Sequence, residues 1–513
     1  MYKKIIILLF SFLISSISIV SVVADAPYAD DMWYVGDRSV ATKSECETLT
    51  GESYNNVHAE SSNGVTTNNG TILLNFRAGS FGDGANKRSF FVRSFDNGAT
   101  WTDPEIFVMG HDSYSLISYG GLSVKCVYAN DTIYGFCMFA AINQPISQSH
   151  CYLIYSKDNG DSWVGLNDSY YINDSALNLT SFFADHITGQ WNIHGGIELS
   201  SGRVIVAAYT DEGNENIFTA YTDDIGNFSS DDWVFTGSIG SGQEFSENMI
   251  VELNNGSIYR TIRGDGSPNN RHYSFSHDYG DNWLLNGQQG ANFFPYHPDM
   301  VDPESWASIA RLTSTSDGYD KNRIIIVWNN ATSRIDLSVG ISYNECETDG
   351  YNSGFNVTKE LEDPEDGHQY PYLLIAPNKT IILTHRYDGG YSGKTDIEIV
   401  QFNVEWISDG MDTVIAPQDN EIEFISICGQ TNGTTIYLNK PTINWTVVTN
   451  ASMYWLQIDN NNDFSSPEIN YTDINEYNYP VNCDINTTRV SFTLPDSLPS
   501  YDRYYMRVRA YTR

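Results

Sequence analysis

One short pattern, Ser-x-Asp-x-Gly-x-x-Trp, recurs along this chain and limits what it can fold into. Full copies run Ser94–Trp101, Ser156–Trp163 and Ser276–Trp283. A degenerate copy occupies Thr222–Gly226 with its tryptophan displaced to Trp233, and a fainter one begins at Ser342-Tyr343-Asn344. The pattern has a local physical logic. The aspartate bonds its own turn, the glycine takes the left-handed position, and the tryptophan packs back over the hairpin. A second mark alternates with the first: tight turns between apolar strands at Asn69-Gly70, Ser201-Gly202, Asn255-Gly256 and Asn378-Lys379. Two marks in alternation, each punctuating short strands, describe an array of four-stranded blades. The spacing of the copies suits six of them.

From residue 55 to about 410 the chain is almost wholly short alternating strands with Gly, Asn and Asp turns, and long helical periodicity is missing. The fold class is therefore all-β, a six-bladed β-propeller followed by a small β-sandwich. The texture changes near Val414. Beyond it Ile443-Asn444-Trp445, Tyr454–Ile458 and the Tyr-rich strand Tyr504–Tyr511 resemble a fibronectin type III-like sandwich. The expected organisation is a signal peptide over 1–24, a lead-in over 25–54, the propeller over 55–412 and the sandwich over 413–513.

The leader expectation rests on a basic start at Lys3-Lys4, an apolar run from Ile5 to about Val23, and small residues before Asp25. Such a chain is secreted or held at the cell surface, with no membrane insertion once the leader is cut. A formal net charge of -36 argues against nucleic acid and anionic membranes as partners. An anionic ligand needs a local basic pocket against that background. Export permits disulfides among the seven cysteines, with Cys126–Cys137 and Cys428–Cys483 as candidate pairs and one thiol left over. No Cys or His spacing suggests a metal site, and no cofactor is implied. Sequons at Asn69, Asn130, Asn178, Asn330 and Asn432 are compatible with glycosylation.

The stretch Ser246–Arg263 carries the chemistry. Met249, Val251 and Leu253 lead to the Asn254-Asn255-Gly256 turn, and a second strand returns to Arg263. Glu247 enters the first strand and Arg263 leaves the second, so a carboxylate and a guanidinium fall at the same end of one blade.

With the repeats and this hairpin together, the chain resembles the sialidases (neuraminidases), six-bladed propellers that remove terminal sialic acid from glycans. Glu247, Glu252-Leu253, Gly256 and Arg263 match the family's register without a gap. Asn329–Leu337 is similar to the segment that holds another carboxylate-binding arginine, here Arg334. Tyr370, followed by Leu373 and Pro377-Asn378, looks like the nucleophile segment, with Pro371 in place of the usual serine and Lys379 in place of the turn glycine. The resemblance implies a retaining glycosidase. Tyr370 is the nucleophile, Glu247 its activator, and Arg263 and Arg334 grip the substrate carboxylate. A phenol suits this substrate because an anionic nucleophile is repelled by the carboxylate on the anomeric carbon. Arginines suit it because their planar fork bonds a carboxylate at two points. The acid that protonates the leaving oxygen is assigned to Asp83, beyond Arg77 in a Gly-rich stretch.

The first blade departs from the family. Where sialidases carry an arginine, this chain has Glu60 within Asn56–Asn63, so Arg77 is the candidate to replace it and His58 and Glu60 are candidates for contact with a different sugar acid or a neutral glycan. His194 fits a packed structural histidine better than a ligand. The expected partners are sialylated or other acidic glycans. Two rival readings use the same scaffold: a propeller that binds glycans without turning them over, and a glycosidase or lyase for another acidic sugar.

Overall fold

The computed structural model describes residues 34–79, 87–111, 119–141, 149–186, 191–210, 216–239, 244–265, 269–284, 294–347, 353–361, 368–387 and 396–415, and beyond these 424–427, 442–446, 453–459, 469–474, 483–485, 489–494 and 505–511. The chain divides into two compact units.

The larger unit is a six-bladed propeller of four-stranded antiparallel sheets. Blade 1 runs outward through Asn56–Thr66, Ile72–Gly79, Arg88–Ser94 and Glu105–Val108. Blade 2 is Tyr119–Ala129, Thr132–Ala141, Ser149–Ser156 and Leu177–Asn178. Blade 3 is Trp191–Glu198, Val204–Thr210, Asn216–Thr222 and Trp233–Ile239. Blade 4 follows with Glu244–Glu252, Ile258–Asp265, Asn270–Ser276 and Tyr296–Val301. Blade 5 is Ser308–Thr313, Arg323–Asn329, Leu337–Ser342 and Val357–Glu360. The innermost strands touch their neighbours all the way round, the first against the last.

Blade 6 takes three strands, His368–Ile375, Ile381–Tyr387 and Asp396–Phe402, from the end of the unit and its outer strand, Tyr34–Thr42, from the beginning. The segment expected as a lead-in thus closes the ring, and a helix, Lys43–Thr50, leaves it with a capping box between Thr42 and Glu45. Pairing the two ends of the unit removes an open sheet edge.

Each blade is packed on both faces, which is why a second strand such as Ile72–Gly79 or Arg323–Asn329 is buried at every residue. Polar side chains tie the inner strands together. Asn63 of blade 1 donates to the Tyr372 hydroxyl of blade 6 (3.0 Å) and accepts from the Cys126 amide of blade 2. The expected Cys126–Cys137 disulfide is not formed. Across their shared ladder Cys126 faces Gly135 while Cys137 faces Val124, an offset of two positions, and both thiols are free and buried. Cys428 lies outside the described residues, as does the Cys483 side chain.

The repeated boxes have the geometry their sequence implies. In the third, Asp278 accepts from Ser276 Oγ (2.8 Å), Asn282 N (2.8 Å) and Asn282 Nδ2 (2.8 Å), and Ser276 Oγ accepts from Gly280 N (2.8 Å). Gly98, Gly160 and Gly280 sit at φ 84°, 93° and 92°. In the faint fifth copy Cys346 takes the glycine's place at φ 56°, with its amide on Ser342 Oγ (2.9 Å). Boxes and tight turns share one end of the blades, called the lower end here. The inner strands begin, and the second strands finish, at the upper end.

The smaller unit comprises Ser314–Asp320 and Ile415–Arg513. Its described strands form a four-stranded sheet (Phe424–Ile427, Thr442–Thr446, Arg489–Thr493, Cys483–Ile485) and a three-stranded one (Ile469–Ile474, Met453–Asp459, Tyr505–Tyr511). Trp445 of the first meets Tyr454 of the second edge to face at 5.6 Å.

Candidate active site

The upper end is where the blades stop being alike. In blade 4 the ladder slips between Phe245 and Asn248, so Ser246 and Glu247 together oppose Arg263. In blade 6 it slips between Gln369 and Tyr372, so Tyr370 and Pro371 together oppose His385. Blade 2 has the same two-against-one bulge at Gly121-Leu122, blade 3 has one extra residue, His194, and blade 1 sets four residues, 59–62, against the single Phe76. A bulge re-aims side chains that strict alternation would send to the faces of the sheet. Pro371 fits here because the bulged position asks no ladder bond of its missing N–H. Tyr370 sits at φ 55°, a conformation costly for a bulky residue and kept only where its surroundings enforce it.

Two pairs of the expected residues come together. Glu247 Oε2 bonds Arg263 Nη1 at 3.0 Å, with both side chains largely buried. Arg334 lies over the Tyr370 ring, 5.2 Å from its centroid, and donates from Nη2 to Glu304 O (2.8 Å). Arg334 is held in a loop closed by Asn330 N to Asp336 O (3.0 Å) and Asn329 Nδ2 to Ile335 O (3.0 Å).

The turn 302–306 between blades 4 and 5 links the pairs, and the sequence reading missed it. Asp302 Oδ2 is 3.1 Å from Arg271 Nη2 in a fully buried ion pair, and Oδ1 accepts from Ser305 N (3.0 Å). Glu304, at φ 59°, turns its carbonyl to Arg334. Trp306 packs on His194 (ring centroids 4.3 Å) and receives Lys125 Nζ at 5.1 Å from its ring. Lys125 comes from blade 2, opposite blade 5, so this contact crosses the axis.

His194 is the packed histidine expected of it. It is buried between Trp306 and Tyr209, and its Nδ1 accepts from Asn248 N (3.1 Å). Burial holds its pKa well below the usual value, and Lys125 and Arg263 push it the same way, so the imidazole is neutral. Arg271 is lowered first by burial, with Asp302 and Glu247 raising it and Arg263 opposing them. Lys125, Arg271 and Arg334 therefore meet the turn 302–306, with Arg263 beside Arg271, four cations in a protein with a net charge of -36.

Blade 1 places its candidates by backbone. His58 opposes Arg77 in the ladder, Glu60 falls in the four-against-one bulge, and Arg77 is buried. Asp83 and the side chains of His58 and Glu60 lie outside the described residues.

Comparison with known proteins adds a family and a fold. The sequence model of the BNR repeat-like domain matches residues 70–383. No curated protein sequence matches the chain. Among solved structures, a Hadza microbial sialidase superposes with a TM-score of 0.52 at 15% identity, over 67% of this chain and 65% of that one. The intramolecular trans-sialidase from Ruminococcus gnavus gives 0.53 at 14%, over 74% and 98%. Trypanosoma rangeli sialidase gives 0.52 at 16%, over 69% and 56%. The chain thus covers under two thirds of the first and last of these proteins. At such identities the likeness is one of fold.

Proposed function

Starting from a chain that belongs to the BNR repeat-like domain family, we propose that it is an exported retaining exo-α-sialidase, acting on terminal sialic acid or a related acidic sugar of glycoconjugates. The observation that carries this reading is the double pairing at the upper end: a guanidinium over a phenol, Arg334 on Tyr370, and a guanidinium on a carboxylate, Arg263 on Glu247. The cluster of cations around them supplies the local field that an anionic sugar needs against the acidic surface.

In this mechanism the substrate carboxylate takes the forks of Arg263 and Arg334 and competes with Glu247 for the first of them. Glu247, released, accepts the Tyr370 proton as the phenol oxygen bonds the anomeric carbon. The glycosidic bond breaks, and Asp83 gives its proton to the leaving oxygen. Water, deprotonated by Asp83, then attacks the same carbon. The Tyr370–sugar bond breaks, and the phenol regains its proton from Glu247.

A second reading draws on blade 1, where an acidic residue, Glu60, stands in the place of the family's first arginine. An enzyme for a different acidic sugar would use that blade to contact other hydroxyls.

The test is covalent trapping. The purified protein should hydrolyse a fluorogenic sialoside, and a 2,3-difluoro sialic acid should add its glycosyl mass to the peptide that contains Tyr370. Turnover with the label on any other residue would remove the nucleophile assignment. Absence of turnover on sialosides, with turnover of another acidic glycoside, would favour the second reading.

A further inference from the structure

A buried charge between blades 3 and 4 plays no part in the axial site. Arg260 lies midway along Ile258–Asp265, opposite Ile250 on one side and Ser274 on the other. Its side chain is fully buried, and none of Nε, Nη1 and Nη2 has a hydrogen-bond partner among the described residues. The Trp283 ring covers one face of the guanidinium at 3.5 Å. Trp283 in turn donates from Nε1 to Thr219 Oγ1 of blade 3 (3.1 Å), which shares a hydrogen bond with the Thr236 hydroxyl. Ile205, Ile250 and Ile258 pack in one cluster with Trp283.

The other fully buried arginines show what is unusual here. Arg323 bonds Asp412 (2.7 Å), Arg271 faces Asp302 (3.1 Å), and Arg88 reaches Glu52 (2.9 Å). Arg260 has no such carboxylate among the described residues. Burial alone lowers its pKa, to about 9, which still leaves a cation at neutral pH. Stacking on an indole offsets part of the cost of dehydrating that cation, but it acts through the ring face and leaves the N–H donors at the edge of the plane unanswered. A buried charge without a partner is not a stable arrangement.

We propose that Arg260 binds a small monovalent anion, a halide, at the edge of its guanidinium plane between blades 3 and 4. A halide needs donors only, tolerates apolar walls, and balances a single charge. A divalent oxyanion would need more donors than one arginine and a few hydroxyls provide. The rival occupant is water. Asn248 Oδ1, two ladder positions along the same sheet face, is a buried acceptor that also lacks a partner among the described residues, and a water could join it to Arg260.

Two measurements on the whole protein decide. Thermal unfolding is followed as chloride replaces gluconate at constant ionic strength. Tm should climb by roughly 1 °C for each tenfold rise in chloride above the dissociation constant, and Arg260→Met should lose that dependence. Crystals soaked in bromide should show an anomalous peak at hydrogen-bonding distance from the Arg260 guanidinium. A flat Tm with no such peak overturns the proposal in favour of water. So does a chloride effect with bromide found only elsewhere. Should Arg260→Met fail to fold, the bromide map of the unmodified protein decides by itself.

Discussion

The two ends of the blades are built from the same strands on opposite rules. At the lower end one solution is repeated. Three boxes place serine, aspartate and glycine in the same hydrogen-bonded turn, and the tight turns at Gly70, Gly202 and Gly256 hold φ between 80° and 90°. At the upper end the inner strands diverge. Blade 1 sets four residues against one, blades 2, 4 and 6 set two against one, blade 3 carries a single extra residue, and the irregularity in blade 5 falls at its other end. Repetition closes the ring; departures from it turn Glu247, Tyr370 and His194 out of alternation. Stability should therefore be spread over the lower end and activity concentrated at the upper.

The largest effect tests the upper end. Tyr370→Phe should lower turnover of a sialoside by roughly 10³-fold or more, the scale expected when a nucleophile is lost, while the urea midpoint stays close to that of the parent. A variant that kept its activity would break the assignment. A variant that lost both activity and stability would break the division of labour between the two ends.

What was legible in the sequence follows the same division. Boxes and turns are local, with each hydrogen bond closing within a few residues, so their residues could be read directly and the six blades counted from them. The Glu247–Arg263 pair was legible because a tight hairpin fixes which residues return to the same end. The closing strand Tyr34–Thr42 was not, because its partner Asp396–Phe402 lies at the far end of the propeller and leaves no periodic trace. Bulges were missed for a related reason. An inserted residue reverses the alternation that a pattern reading relies on. Asp302 and Trp306 escaped because the connection between blades 4 and 5 reads as polar loop, and Arg271 because its partner Asp302 lies in that connection. The one available signal was the density of charged and aromatic residues in Asp302-Pro303-Glu304-Ser305-Trp306.

Acid should separate the two ends. In blade 4 burial first, then Arg271, holds His272 down to about 4, although its hydrogen bond to Phe294 works the other way; burial, His272 and Arg271 hold His297 down to about 3. Each imidazole is neutral in the fold and takes a proton near 6.5 when unfolded, so the unfolded state binds more protons over this window and stability falls as pH falls. For His272 the loss between pH 7 and pH 4.5 should be roughly 2 to 3 kcal/mol. The box aspartates do not share it. Burial opposes the charge of Asp278, but bonds from Asn282 and Ser276 outweigh it and keep the carboxyl below its usual range. Its contribution is present above pH 3.8 and is lost only below that. Hydrogen exchange at pH 4.5 should rise first in Asn270–Ser276, and His272→Gln should flatten the pH dependence of the urea midpoint. An even rise over all six blades would contradict the contrast.

At the lower end, Asp278→Ala removes three acceptor contacts from one box. Loss of a hydrogen-bonded turn of this kind should cost about 1–2 kcal/mol, read as a lower urea midpoint at unchanged m, with KM and kcat for the sialoside unmoved. A change in KM would mean that the box end feeds the site.

The smallest effect compares two strained residues in the same inner strand and its turn. Tyr370 and Lys379 both take positive φ, 55° and 65°. Lys379 occupies the position that glycine fills at residues 70, 202 and 256, with its amide on Ala376 O (2.8 Å) and the Thr380 amide on Asn378 Oδ1 (3.1 Å). A side chain there works against the backbone, and a glycine would not. Lys379→Gly should raise stability by about 0.5–1 kcal/mol, the left-handed penalty less the extra freedom glycine gives the unfolded chain, and leave turnover unchanged. The same relief at Tyr370 would remove the phenol itself. If Lys379→Gly instead destabilised the protein, strain at the lower end would be held in place by contacts of the lysine, and the turn could no longer be treated as simple punctuation.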